Sequence, residues 1–74
     1  MPIERITDEE ATAIIRTREP LGQFYHIDKT GPRPVYVAID NSDGDAWVEE
    51  FWTLASAKRY LEGKPCRDRF GQYH

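Results

Sequence analysis

Residues 35–51 read VYVAIDNSDGDAWVEEF and have the pattern of two β-strands joined by a tight turn. In the first half, Val35, Val37 and Ile39 alternate with other residues, which predicts a strand over 34–40 with one aliphatic face. The turn sequence NSDG favours a hairpin, because asparagine and aspartate tolerate turn geometry and Gly44 can adopt a positive φ. The segment therefore predicts an antiparallel pair of strands.

The second strand of this hairpin, predicted over 45–52, carries apolar residues on both of its faces. Trp47 and Phe51 share one face, whereas Val48 and Trp52 share the other. Tyr36, on the neighbouring strand, lies on the face opposite the aliphatic residues. The pattern leaves open which face of the sheet is the core. It also indicates more aromatic surface than one small helical layer can cover.

Helices are predicted on both sides of the strands along the chain. Thr7 and Glu10 have the spacing of a capping box, and the helix that follows ends before Pro20, because proline disfavours helical geometry in the residue before it. Residues 23–28 predict a further strand, and Thr53 can cap a second helix. The order α-β-β-β-α predicts an α+β domain with a three-stranded antiparallel meander sheet and both helices packed on one face.

The chain has 74 residues, which leaves room for one domain. We expect residues 1–63 to form that domain and residues 64–74 to be a polar, basic tail that is flexible unless it docks. Cys66 is the only cysteine, so no disulfide can form within the chain, and a reducing cytoplasm fits best. No apolar run reaches the roughly 18 residues of a membrane span, and the first residues lack the pattern of a signal peptide.

Charge is segregated along the chain, although the net charge is only −3. Residues 34–57 contain five carboxylates and no lysine or arginine, whereas residues 58–74 contain five basic residues against two acidic ones. Two surfaces of opposite sign are therefore expected, and each would attract a partner of the opposite charge.

No motif in the sequence commits to catalysis or to a metal. Residues 39–50 match an EF-hand loop at several positions, but Ile39 stands at the first ligand position and has no side-chain oxygen, so a hairpin turn is the better interpretation. Asp45 and Glu49 lie on a strand without a pocket for acid–base catalysis. Cys66 and His74 fall in the predicted tail, where nothing holds a nucleophile beside a base. The sequence therefore predicts no catalytic residue, no metal ligand and no cofactor.

Two segments resemble small uncharacterised proteins from phages, prophages and mobile elements of Gram-positive bacteria. They are residues 37–51, VAIDNSDGDAWVEEF, and residues 18–25, REPLGQFY, which together cover about a third of the chain. The resemblance implies a bacterial, cytoplasmic protein. It carries over no activity and no catalytic residue.

The sequence favours a non-enzymatic protein-interaction module, such as an accessory or inhibitor protein of a mobile element that binds a host protein. The reason is that apolar side chains lie on both faces of the predicted sheet, next to a cluster of carboxylates. This arrangement suits a basic partner surface. The predicted partner-binding residues are Tyr36, Asp43, Asp45, Trp47, Glu49 and Phe51.

Two alternatives stay open at this point. The first is a nucleic-acid-binding domain that uses the basic residues near the C-terminus, because phosphates bind lysine and arginine. The second is a homodimer formed through an edge strand or the aromatic face. The residues of the nucleic-acid alternative are Lys58, Arg59, Lys64, Arg67 and Arg69.

Overall fold

The computed structural model describes residues 2–74, which form a mixed four-stranded sheet and two helices. In chain order the elements are β1 Ile3–Arg5, α1 Asp8–Thr17, β2 Gly22–Asp28, β3 Val35–Asn41, β4 Trp47–Phe51 and α2 Leu54–Leu61. The strands lie side by side in the order β1-β2-β3-β4; β1 is parallel to β2, and the other neighbours are antiparallel. The predicted α+β class is confirmed. The predicted three-stranded antiparallel sheet is one strand short of the observed four-stranded mixed sheet.

The strand missing from the prediction is β1. Arg5 pairs with Tyr25 in parallel register, and the Ile6 amide donates to the Tyr25 carbonyl at 2.9 Å. β1 has only three residues, and Ile3 is the one apolar side chain among them. No alternation of apolar and polar residues can be recognised in so short a segment, so the sequence does not predict this strand. Parallel neighbours need a crossover connection, and α1 supplies it.

The two helices lie on opposite faces of the sheet, which corrects the expectation that both pack on one face. Strand residues alternate between faces, and the register places Ala38 and Phe51 on one face, with Phe24 and Ile39 on the other. We call the first the α2 face and the second the α1 face. The buried clusters are Ala38, Phe51, Ala57, Leu61 and Cys66 on the α2 face, and Ala11, Ile14, Phe24 and Ile39 on the α1 face.

α1 begins with the predicted capping box. The Thr7 hydroxyl accepts a hydrogen bond from the Glu10 amide at 3.1 Å, and the Glu10 carboxylate accepts one from the Thr7 amide at 3.0 Å. Asp8 and Glu9 add negative charge to the first turn, where the helix dipole favours it. The helix ends at Arg18, which has a left-handed φ of 62°.

The segment expected to be a flexible tail folds back as a small hairpin, which we call the C-terminal hairpin, residues 66–74. The backbones of Cys66 and His74 exchange hydrogen bonds of 3.3 and 2.9 Å, and the Arg69 amide donates to the Glu50 carbonyl at 2.9 Å. Cys66 and Asp68 are buried. The hairpin therefore completes the cover of the α2 face and occupies part of the outer edge of β4.

Neither helix in residues 2–74 is long and apolar enough to cross a membrane.

Candidate functional site

Two of the three aromatic residues predicted to bind a partner belong instead to the α2-face core. The Phe51 side chain is 0% exposed, and its ring centroid lies 5.5 Å from that of Tyr60 on α2. Tyr36 is half-buried against the same cluster. Phe51 therefore does not belong to the candidate surface, because α2 and the C-terminal hairpin cover its ring. The sequence had left open whether the face that carries Phe51 is buried.

The other predicted residues lie at or near the surface around the β3–β4 turn. Trp47 is 59% exposed at the start of β4. Asp43 and Asp45 are exposed in the turn, and Glu49 is half-buried on the α2 face. We call Asp43, Asp45, Trp47 and Glu49 the acidic hairpin.

The turn of the acidic hairpin is held in place by Asn41, which is 0% exposed. Its amide nitrogen donates to the carbonyls of Arg18 and Pro20 at 2.9 and 2.8 Å, and its amide oxygen accepts from the Ala46 amide at 3.1 Å. Gly44 has the predicted positive φ, 87°. The carboxylates therefore stand on a fixed loop.

Most of the predicted basic residues are engaged within the chain. The Arg59 guanidinium donates to the Pro65 carbonyl at 2.8 Å, Lys64 forms an exposed ion pair with Glu62, and Arg67 stacks on the ring of Tyr73. Arg69 pairs with Glu50 at 2.9 Å. Lys58 lies on the exposed side of α2.

A basic and aromatic cleft that the sequence analysis missed lies beside Arg69. The guanidinium carbons of Arg33 and Arg69 are 4.1 and 5.0 Å from the centroid of the Trp52 ring, and Arg69 is also 5.0 Å from that of Phe70. Arg33, Trp52 and Arg69 line a cleft of about 220 Å³ together with Asp28, and Phe70, which is 70% exposed, lies beside it. We call Arg33, Trp52, Arg69 and Phe70 the arginine–aromatic cleft. Nothing in the sequence indicated it, because Arg33 and Trp52 are 19 residues apart and are separated by β3 and β4.

Three side chains with metal-ligand chemistry meet where the C-terminal hairpin crosses the sheet. The Nε2 atom of His74 lies 2.9 Å from Oδ2 of Asp68 and 3.6 Å from Oε2 of Glu49. One potential ligand atom from each residue lies within 4.8 Å of the others. No metal ligand was predicted, because Glu49 and His74 share no motif spacing and the tail was expected to be loose.

Asp68 is the most buried member of this cluster. Its side chain is 1% exposed, and Oδ1 accepts hydrogen bonds from the amides of Phe70 and Gln72 at 2.8 and 3.0 Å. The hydrogen bond from His74 holds the pKa of the Asp68 carboxyl below its usual value, and the two amides act in the same direction. Asp68 therefore presents an ionised oxygen to His74 and Glu49.

The two remaining candidates for chemistry are Cys66 and His26. Burial raises the pKa of the Cys66 thiol, which makes it a poor nucleophile at neutral pH. His26 is buried on the α1 face, 3.8 Å from the Asp8 carboxylate, and its Nδ1 atom has no hydrogen-bond partner among residues 2–74. Neither is placed beside a second group as a nucleophile and base would be.

Comparisons with protein-family models, with curated proteins and with solved structures find no match to this chain.

Proposed function

We propose that this chain is a non-enzymatic binding module that docks the acidic hairpin on a basic surface of a partner protein. The observation that carries the proposal is the 59% exposure of Trp47 on the same hairpin as Asp43, Asp45 and Glu49, in a stretch of 24 residues, 34–57, without lysine or arginine. Arg18 contacts this hairpin at the backbone carbonyl of Asp45, at 2.6 Å. The partner is therefore expected to present a shallow apolar depression rimmed by lysine or arginine.

The acidic hairpin combines the two features that binding surfaces use. A tryptophan ring can bury a large apolar area at one point, and such residues dominate the energy of many interfaces. Carboxylates around it speed the encounter with a basic surface and set its orientation. Because the turn is fixed by Asn41, little order has to be gained on binding.

The biological setting that we propose follows from the resemblance to phage and mobile-element proteins. The chain would act in the bacterial cytoplasm as an accessory or inhibitor protein, and its partner would be a host protein. A protein that normally binds nucleic acid has a basic surface of the required kind, so it is the class to search first.

The test is affinity capture from a Gram-positive lysate, followed by calorimetry with the purified partner. Trp47→Ala should weaken the affinity by about 30-fold, corresponding to a hot spot of about 2 kcal/mol. Asp43→Asn with Asp45→Asn should lower the association rate and its salt dependence. Phe70→Ala is the matched control, because Phe70 is also a largely exposed aromatic residue, at 70%, but lies outside the acidic hairpin. A partner whose affinity is unchanged by Trp47→Ala would contradict the proposal.

A second candidate function, nucleic-acid binding, is supported by the arginine–aromatic cleft. The Arg33 guanidinium stacks on the Trp52 ring in a cleft that Asp28 also lines, and it is the group proposed to bind a phosphate. Phe70 can stack on a base beside Arg69, as in proteins that bind single strands. Of the basic residues predicted from the sequence, Arg69 belongs to this cleft.

Fluorescence anisotropy with a labelled single-stranded oligonucleotide tests this second function. Binding should be strongest at low salt, and Arg33→Gln and Phe70→Ala should each weaken it, whereas Trp47→Ala should not. The absence of a complex even at low salt would eliminate the function.

Homodimerisation is the remaining alternative and is measured on the same samples. Arg69 already occupies the Glu50 carbonyl on the outer edge of β4, which leaves a short edge for pairing with a second copy. If light scattering shows that the intact chain is a dimer and that Trp47→Ala is a monomer, the Trp47 surface binds a second copy of this chain and not a partner protein.

A further inference from the structure

We propose that Glu49, Asp68 and His74 form a binding site for a divalent transition metal ion, with Zn²⁺ as the ion that fits best. An imidazole nitrogen and two carboxylate oxygens are all ligands that zinc accepts, and three protein ligands leave a fourth position for water. Glu49 also belongs to the acidic hairpin, but the zinc site rests on its contacts with Asp68 and His74 and does not require a partner protein.

All three ligand atoms lie within 4.8 Å of one another, and the two distances from His74 are close to those around a tetrahedral ion. Zinc bonds of about 2.0–2.2 Å to nitrogen and oxygen place neighbouring ligand atoms about 3.4 Å apart. In the structure His74 Nε2 is 2.9 Å from the Asp68 oxygen and 3.6 Å from the Glu49 oxygen. Insertion of the ion therefore requires shifts of less than about 1 Å at these two contacts.

The surroundings hold each ligand in position. Asp68 is fixed by two backbone amides through Oδ1, which leaves Oδ2 for the ion. The His74 ring is wedged edge-on against Phe51 and Tyr60, with ring centroids 6.1 and 5.3 Å away. Glu49 stands on β4. Such support by neighbouring groups is typical of sites that bind metal tightly.

The competing interpretation is an ion bridge without metal. A protonated His74 lying between two carboxylates would also tie the C-terminal hairpin to the sheet. The two interpretations differ in one respect: the metal needs the unprotonated Nε2 atom, so binding of Zn²⁺ replaces the hydrogen bond between His74 and Asp68 and releases any proton held there. Direct measurement of metal binding therefore separates them.

The experiment uses the full chain, purified without a histidine tag and freed of metal by chelation. ZnCl₂ titration against a chromogenic chelator should show one tightly bound ion per chain, and saturating zinc should raise the thermal midpoint, because the ion binds the folded state alone. X-ray absorption should show nitrogen and oxygen ligands without sulfur, which excludes Cys66.

Variants decide whether Glu49 and His74 are ligands. Glu49→Gln, which changes a half-exposed side chain and should leave the fold intact by circular dichroism, should weaken zinc binding at least tenfold. His74→Gln should abolish it. Trp47→Ala is the control, because Trp47 lies on the same strand and the same face as Glu49 but is not a ligand; its zinc affinity should equal that of the intact chain.

Two results would overturn the proposal. One is the absence of stoichiometric zinc binding by the folded chain. The other is zinc binding that is equally strong in the intact chain and in folded Glu49→Gln and His74→Gln.

Discussion

Asn41 shows how a single buried polar side chain positions a surface loop. Its amide satisfies two carbonyls at and just after the end of α1 and one amide after the turn, so it links both sides of the β3–β4 turn to a segment 21 to 23 residues away in sequence. An aspartate in this position would accept hydrogen bonds but donate none, and the two carbonyls would lose their partner.

Asn41→Ala is expected to destabilise the fold by about 2–3 kcal/mol, because it leaves several buried backbone groups without hydrogen bonds. Urea denaturation measures the change. Ser42→Ala, which alters an exposed hydroxyl one residue further, should change stability by about 0.5 kcal/mol or less. Equal effects of the two substitutions would contradict the role given to Asn41.

Cys66 makes the stability of the chain dependent on pH. Because burial raises its pKa, the folded chain keeps the thiol proton to a higher pH than the unfolded chain does. This contribution is complete below the pKa of an unfolded cysteine, about 8.5, and is lost as the pH rises through the folded-state value.

Urea denaturation at pH values on both sides of about 8.5 tests this effect. The intact chain should lose more stability at the higher pH than Cys66→Ala does, and the difference isolates the thiol from Tyr60, whose pKa is also raised by burial. Rapid labelling of the native thiol at neutral pH would show that Cys66 is not buried in the α2-face cluster.

At the scale of elements, β4 carries a core residue and a surface residue on the same face, Phe51 and Trp47. Phe51→Ala should destabilise the fold by about 3–5 kcal/mol, since it removes a fully buried ring. Trp47→Ala should change stability by about 0.5 kcal/mol or less, because more than half of the ring is already in water. Urea denaturation of both variants checks the assignment, and a large loss in Trp47→Ala would remove the argument for a binding surface.

The C-terminal hairpin is part of the core although it is polar in composition. Removal of residues 65–74 would delete the His74 ring that packs on Phe51 and Tyr60, and the ion pair between Arg69 and Glu50. The truncated chain is expected to unfold at lower urea concentration and to bind a hydrophobic dye. Tyr73→Ala is the control, because Tyr73 is largely exposed and its loss leaves the rest of the hairpin in place. A truncated chain as stable as the intact one would show that the hairpin contributes nothing.

For the whole molecule, the sheet separates two clusters that should behave independently. Ile14 lies under α1 and Leu61 under α2, on opposite faces. Ile14→Val and Leu61→Val should each cost about 1 kcal/mol, and the double variant should equal their sum within about 0.5 kcal/mol. A coupling above about 1 kcal/mol, measured by a double-mutant cycle, would indicate a shared core and contradict the layered arrangement.

Local chemistry in the sequence was sufficient for several features of the structure. The capping box at Thr7, the positive φ at Gly44 and the antiparallel pairing of residues 35–51 all depend on residues close together in the chain, and each was predicted. The acidic character of residues 34–57 follows from composition alone. These features are local because turn geometry, capping and alternation act over a few residues.

Only the tertiary structure decided which apolar face each helix covers, where β1 pairs and how residues 66–74 dock. Phe51 and Trp47 have the same alternation and the same face, yet one is buried and the other exposed, because α2 and the C-terminal hairpin reach only one end of that face. The meeting of Glu49, Asp68 and His74 has the same origin. Burial and side-chain clusters depend on contacts between distant segments, and the period of a single segment carries no information about them.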